Sequence, residues 1–137
     1  MNNMKNIILL IVLLIPNLSK SQAHLSATLS DIQSMHPDKV FKSGITDDGT
    51  KYTSTEMVLG TFIYYFDGTT DLSYLCIQIP SNMTNLNTQV EIYNKKYVIT
   101  SKTSWTAYLE GGGMMYIRLK YSEEDKMYLF YYASTEI

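Results

Sequence analysis

The sequence predicts an α+β fold, a twisted antiparallel sheet of about six to eight short strands with two short helices packed on one face. Three observations predict it. Most of the chain alternates with period two and is rich in Tyr, Phe, Ile, Val and Thr, residues that suit a pleated, half-buried surface. Two segments carry apolar residues at helical spacing instead. Turn-forming residues recur at short intervals, so successive strands are joined by hairpins.

Leu25, Leu29 and Ile32 stand at i, i+4 and i+7, Ser26 or Thr28 is placed to cap, and Pro37 forbids continuation beyond His36. The first strand comes next, over residues 40–45. Asp47-Asp48-Gly49 is a hairpin turn leading into a strand over 51–55. Strands over 60–66 and 73–79 are joined by a turn containing Gly68, and Pro80 ends the second. A helix is predicted over 82–94, where Met83, Leu86, Val90 and Tyr93 draw one apolar stripe while Asn85, Asn87 and Glu91 face away. Strands over 97–103, 105–109, 114–121 and 127–132 complete the chain. Gly111-Gly112-Gly113 and residues 122–126 supply the last two turns.

The first twenty-one of the 137 residues read differently. Lys5 lies in a short polar start, residues 7–15 are unbroken apolar, Pro16 breaks the run, and Ser19 and Ser21 straddle Lys20. This is the pattern of a secretory signal peptide cleaved after Ser21, which leaves residues 22–137 as one domain. Nine apolar residues fall well short of the roughly 20 that cross a bilayer, so no membrane span is expected after cleavage. Loss of Lys5 and Lys20 takes the eleven basic residues to nine against thirteen acidic ones. The acidic balance argues against nucleic acid as a partner.

The Ser21-Gln22 junction and the Asn/Lys/Ile-rich start resemble exported proteins of Bacteroidota-type bacteria. The stretches 44–50 (GITDDGT) and 91–99 (EIYNKKYVI) are similar to small secreted proteins of unknown function in that group. The resemblance implies a periplasmic or extracellular location and no particular activity.

The order helix, short strand, strand after a glycine, hairpin, strand occurs twice. Residues 40–43, 60–66 and 73–79 correspond to 97–101, 114–121 and 127–132. Either the chain is a duplicated half with a groove between the copies, or a small antiparallel chain has reached this order by chance.

Several chemistries lack their residues. The two histidines, His24 and His36, have no carboxylate or serine at motif spacing, and there is no Gly-x-Ser-x-Gly elbow. The triple glycine is followed by Met114, not by the Lys and Ser of a phosphate loop. Asp47-Asp48 and Glu123-Glu124-Asp125 lie in predicted turns, where water keeps carboxyl groups at ordinary acidity. Asp47-Asp48-Gly49 also lacks the later ligands of a calcium loop. Cys76 is the single cysteine, and no neighbouring His or cation in sequence activates it, so it reads as a sheltered thiol. No cofactor is implied.

Two sets of residues can bind. A chain beginning Gln22-Ala23-His24 offers an α-amine, two amide nitrogens and an imidazole in a square-planar set for Cu(II) or Ni(II). In the strand over 114–121, Tyr116, Arg118 and Lys120 share one face and Met115, Ile117, Leu119 and Tyr121 the other. Neighbouring strands add Lys102 and Thr100, and Trp105 or Tyr108 according to register. Such a strip can recognise a protein partner or stack on a sugar. The expected function is a secreted or periplasmic, non-catalytic protein-interaction module of inhibitor or accessory type. The alternatives are a glycan-binding module, an amino-terminal copper site and an enzyme of unfamiliar design. An unpaired edge strand also allows a homodimer.

Overall fold

Hairpin turns between β-rich segments make each strand pair with its sequence neighbour, and two such meanders meet in the middle of the sheet. The computed structural model describes residues 23–110 and 112–137. In chain order the elements are α1 (Leu29–Met35), β1 (Phe41–Ile45), β2 (Lys51–Met57), β3 (Gly60–Phe66), β4 (Ser73–Pro80), α2 (Met83–Lys96), β5 (Val98–Ser101), β6 (Ser104–Tyr108), β7 (Met114–Ser122) and β8 (Met127–Ala133). The eight strands form one antiparallel sheet in the order β1-β2-β3-β4-β8-β7-β6-β5. Residues 7–15, the cleavage position after Ser21, Gln22 of the copper chelate, and Gly111 lie outside the described residues. No helix among those described is long and apolar enough to cross a membrane.

The repeated order in the sequence has a counterpart in the topology. β1, β3 and β4 hold the same places on one side of the β4–β8 junction as β5, β7 and β8 hold on the other. The junction itself is a hydrogen-bonded ladder, Leu75↔Ala133 to Gln78↔Phe130, so the halves meet in continuous sheet and not across a groove.

The expectation of an α+β fold with two helices packed on one face is corrected. Among the described residues strands take 46 % and helices 18 %, so the sheet dominates, and the two helices are not a matched pair laid on one face. The reason lies in α1. Pro37 stops it after seven residues, and it buries only Ile32. Thr28 caps it, accepting from the Asp31 amide while the Asp31 carboxylate accepts from the Thr28 amide. α2 is longer, is capped by the Asn82 side chain on the Asn85 amide at 2.8 Å, and rests on β4 and β5. Its last turn carries Lys95 and Lys96, which suit the negative end of the helix dipole. It buries Leu86, Gln89 and Tyr93, whereas Met83 of the expected stripe is exposed.

One sheet face is the core face. Phe62, Tyr64, Phe66, Cys76, Trp105, Ile117, Phe130 and Tyr132 are buried on it with Ile32, Leu86 and Tyr93. Each large apolar side chain so buried contributes about 1.5–3 kcal/mol. Tyr93 is the centre of an aromatic cluster, its ring edge-on to Trp105, Phe130 and Tyr132 at centroid distances of 5.7, 5.7 and 6.4 Å. Gly60 marks a close approach between β3 and β4. Its φ is +136°, and a Cβ there would stand 2.0 Å from the Ile79 carbonyl oxygen.

Candidate functional site

The core face holds a polar network that is complete in itself. The Gln78 amide nitrogen donates to the Leu59 carbonyl (3.0 Å) and to Gln89 Oε1 (2.8 Å), and Gln78 Oε1 accepts from Gln89 Nε2 and the Tyr132 hydroxyl, both at 2.6 Å. Gln89 Nε2 spends its second hydrogen on the Tyr93 hydroxyl (2.8 Å), which lies 2.7 Å from the Tyr132 hydroxyl. Every donor in this ring has an acceptor. Burial pushes the Tyr93 and Tyr132 hydroxyls well above the ordinary tyrosine range and the Cys76 thiol well above the ordinary thiol range. The side chains of Gln78, Gln89, Tyr93 and Tyr132 are buried and hydrogen-bonded to one another. Together they lock α2 to β4 and β8.

The opposite face is open, and the strand register lays its residues out in rows. Lys42, Ser54, Ile63, Ile77, Tyr131, Arg118 and Ser104 are successive cross-strand partners over seven strands. A second row runs Gly44, Tyr52, Tyr65, Leu75, Ala133, Tyr116 and Thr106. Gly44 leaves the space into which Tyr52 leans, since a Cβ there would meet the Tyr52 hydroxyl at 2.6 Å. The middle of the face is thus Ile63, Ile77, Tyr65 and Tyr131, all half-buried, and the rim is hydroxyl-bearing and cationic. Lys120 sits over the Tyr131 ring at 5.1 Å. Burial, first, and the neighbouring Tyr131, Tyr52 and Tyr74 raise the Tyr65 hydroxyl above its ordinary range.

The residues singled out in the sequence divide between the two faces. Tyr116, Arg118 and Lys120 lie together on the open face of β7, and Tyr108 continues that face at the far end of β6, opposite Met114. Lys102 is exposed in the β5–β6 turn. Trp105 does not belong with them. It faces the core, is 1 % exposed and donates its indole N–H to Asn94 Oδ1 at 2.8 Å, because β6 pairs in the register that puts Ser104, Thr106 and Tyr108 outward. Among the described residues Lys42, Lys102, Arg118 and Lys120 make no ion pair, although Glu136 and Ile137 lie in the small crevice beside Tyr116 and Arg118.

The acidic turns are solvated. Asp47, Asp48, Glu123, Glu124 and Asp125 are exposed, and the Thr46 hydroxyl bonded to Asp48 holds that carboxyl below its ordinary value. Gly112 and Gly113 both have φ of +93°, as the hairpin reading of the glycine run requires. A cavity of about 710 Å³ opens between α1 and the β1–β2 hairpin, with Leu29, Ile45, Phe66 and Tyr52 in its walls. Several of its polar groups are already engaged: Thr28 caps α1, Ser43 donates to Thr53, and Lys51 faces Asp71 at 4.0 Å.

His24 of the expected amino-terminal chelate has a partner that the sequence did not suggest. His24 Nε2 lies 2.8 Å from His36 Nε2, and the His24 ring stacks on Tyr64 at 6.1 Å. Burial, and then the proximity of His36, lower the His24 pKa to about 4. Among the described residues no group of three His, Cys, Asp or Glu side chains converges to hold a metal ion. No family model matches the chain, and neither a curated protein nor a solved structure does.

Proposed function

We propose that this chain is a non-catalytic protein-interaction module acting outside the cytoplasm, and that it binds an acidic surface of an envelope or extracellular protein through the open face of its sheet. The carrying observation is the row Ile63, Ile77, Tyr131, Arg118: an aliphatic and aromatic centre beside an arginine that has no ion pair among the described residues. Interfaces concentrate their energy in such tyrosine and arginine anchors ringed by polar residues. The polarity of the partner is argued from charge. A chain of net charge −2 presents Lys42, Arg118 and Lys120 on this face against Glu56 and, at the rim, Glu136. A second copy stacked face to face would oppose like charges, which disfavours a second copy as the occupant of this face. The signal-like residues 5–21 support the location.

A glycan platform is less well supported. It needs exposed coplanar rings, whereas Trp105 is buried and the neighbouring Tyr52 and Tyr65 are tilted by 43°. The test is capture from an envelope extract of the native cell, with wild type, Arg118→Glu and Tyr131→Ala as baits. One stoichiometric partner with an acidic surface, released by salt and lost with both variants, supports the reading. A partner retained by both variants, or only glycan retained, overturns it.

A further inference from the structure

We propose that His24 and His36 form a two-imidazole site for a late first-row divalent metal ion, Cu(II) before Ni(II), with water completing the coordination. The ligand set differs from the amino-terminal chelate of Gln22, Ala23 and His24, because it needs no free amine and draws its second nitrogen from the end of α1.

The two rings are held by the fold and not by chance proximity. The Ser73 hydroxyl donates to the His24 carbonyl at 2.6 Å and accepts from the Ala27 amide at 3.1 Å, while the Ser26 amide donates to the Ser73 carbonyl at 2.7 Å. These bonds fix the segment around His24 on the start of β4. His36 is the C-cap of α1, its amide bonded to the Gln33 carbonyl and its carbonyl to the Lys39 amide, with Pro37 stiffening the turn between them. Both rings therefore arrive pre-positioned, Nε2 toward Nε2, from segments twelve residues apart.

Their spacing discriminates between metals. With a metal–imidazole distance of about 2.0 Å, two nitrogens in adjacent square-planar positions stand about 2.8 Å apart, whereas a tetrahedral ion holds them at about 3.3 Å. The observed 2.8 Å is the length of the hydrogen bond that now joins the rings and also matches the square-planar value, so binding needs the rings to tilt from facing each other to facing a shared point, with little change in nitrogen spacing. The proton now shared between the rings moves to Nδ1 of its own ring, and no net proton is released. Imidazole donors without a carboxylate or thiolate select against Mg²⁺ and Ca²⁺ and rank Cu(II) first. His36 is partly exposed, which leaves a route for the ion and room for its waters.

The experiment is titration of the untagged full chain with Cu(II) sulfate, followed by electron paramagnetic resonance. In the full chain the Gln22 nitrogen is a peptide nitrogen, so the amino-terminal chelate is not formed. The expected result is one ion per chain with hyperfine structure from two imidazole nitrogens, and an affinity lowered by about tenfold or more in His24→Gln and in His36→Gln alike. Because His24→Gln removes a packed ring, selective broadening of the two histidine ring resonances by substoichiometric Cu(II) in the wild-type protein gives a readout that needs no variant. Absence of binding at equimolar micromolar concentrations, a spectrum unchanged by His36→Gln, or broadening centred away from the two rings would overturn the proposal.

Discussion

The two faces of this sheet are made from similar residues and put to different use. On the core face, Gln78, Gln89, Tyr93 and Tyr132 are hydrogen-bonded to one another and sealed from water. On the open face, Tyr65, Tyr131, Arg118 and Lys120 stand half-buried or exposed with bonding capacity left for a partner. The difference teaches that residue type alone does not make a site. A tyrosine whose hydroxyl is paired in a dry interior is structure, and one at the edge of water beside an arginine without an ion pair is available for recognition.

The sharpest way to break the comparison is to damage the core face. Trp105→Ala removes the largest buried ring and its bond to Asn94, and is expected to cost about 3–5 kcal/mol in denaturant unfolding. Gln89→Leu leaves the Gln78 and Tyr93 polar groups without their partner in a dry site and is expected to cost about 2–3 kcal/mol. The double change Gln78→Leu with Gln89→Leu should cost less than the two single changes added together, since it removes both ends of the amide pair. A strictly additive result would mean that the network is not coupled.

Changes on the open face should be milder in the isolated protein. Tyr131→Ala is expected to cost about 1 kcal/mol and Arg118→Glu within about 0.5 kcal/mol, read from the same unfolding curves. A loss on the core-face scale would mean that the open face is a second core and not a recognition surface. Cys76 gives the complementary check without a mutation. Its thiol should resist a disulfide reagent in the native protein and react once denaturant unfolds the chain, because burial both hides it and suppresses the thiolate.

Much of the framework was legible in the sequence because it is local. Pro37 stopped the first helix, Gly49 and the glycine run turned their hairpins, and the alternation of β7 separated Tyr116, Arg118 and Lys120 from Met115, Ile117 and Leu119. What failed depended on contacts distant in sequence. In β4 nothing local decides which alternating set, Leu75, Ile77 and Ile79 or Cys76 and Gln78, points inward; the second does, because Gln89 and Tyr132 meet Gln78 there. The choice between Trp105 and Tyr108 rested on a register that only the β6–β7 pairing decides. His24 and His36 come together through a tether to Ser73, far along the chain, which no spacing rule announces.

The central claim is that the open face is the binding face, and hydroxyl-radical footprinting of the captured complex tests it most directly. Tyr65, Tyr116 and Tyr131 should be protected relative to the free protein, while Tyr121 and Tyr128, which pair edge-on at 5.0 Å at the far end of the β7–β8 hairpin, should keep their reactivity. Protection confined to Tyr121 and Tyr128, or to the cavity beside α1, would contradict it.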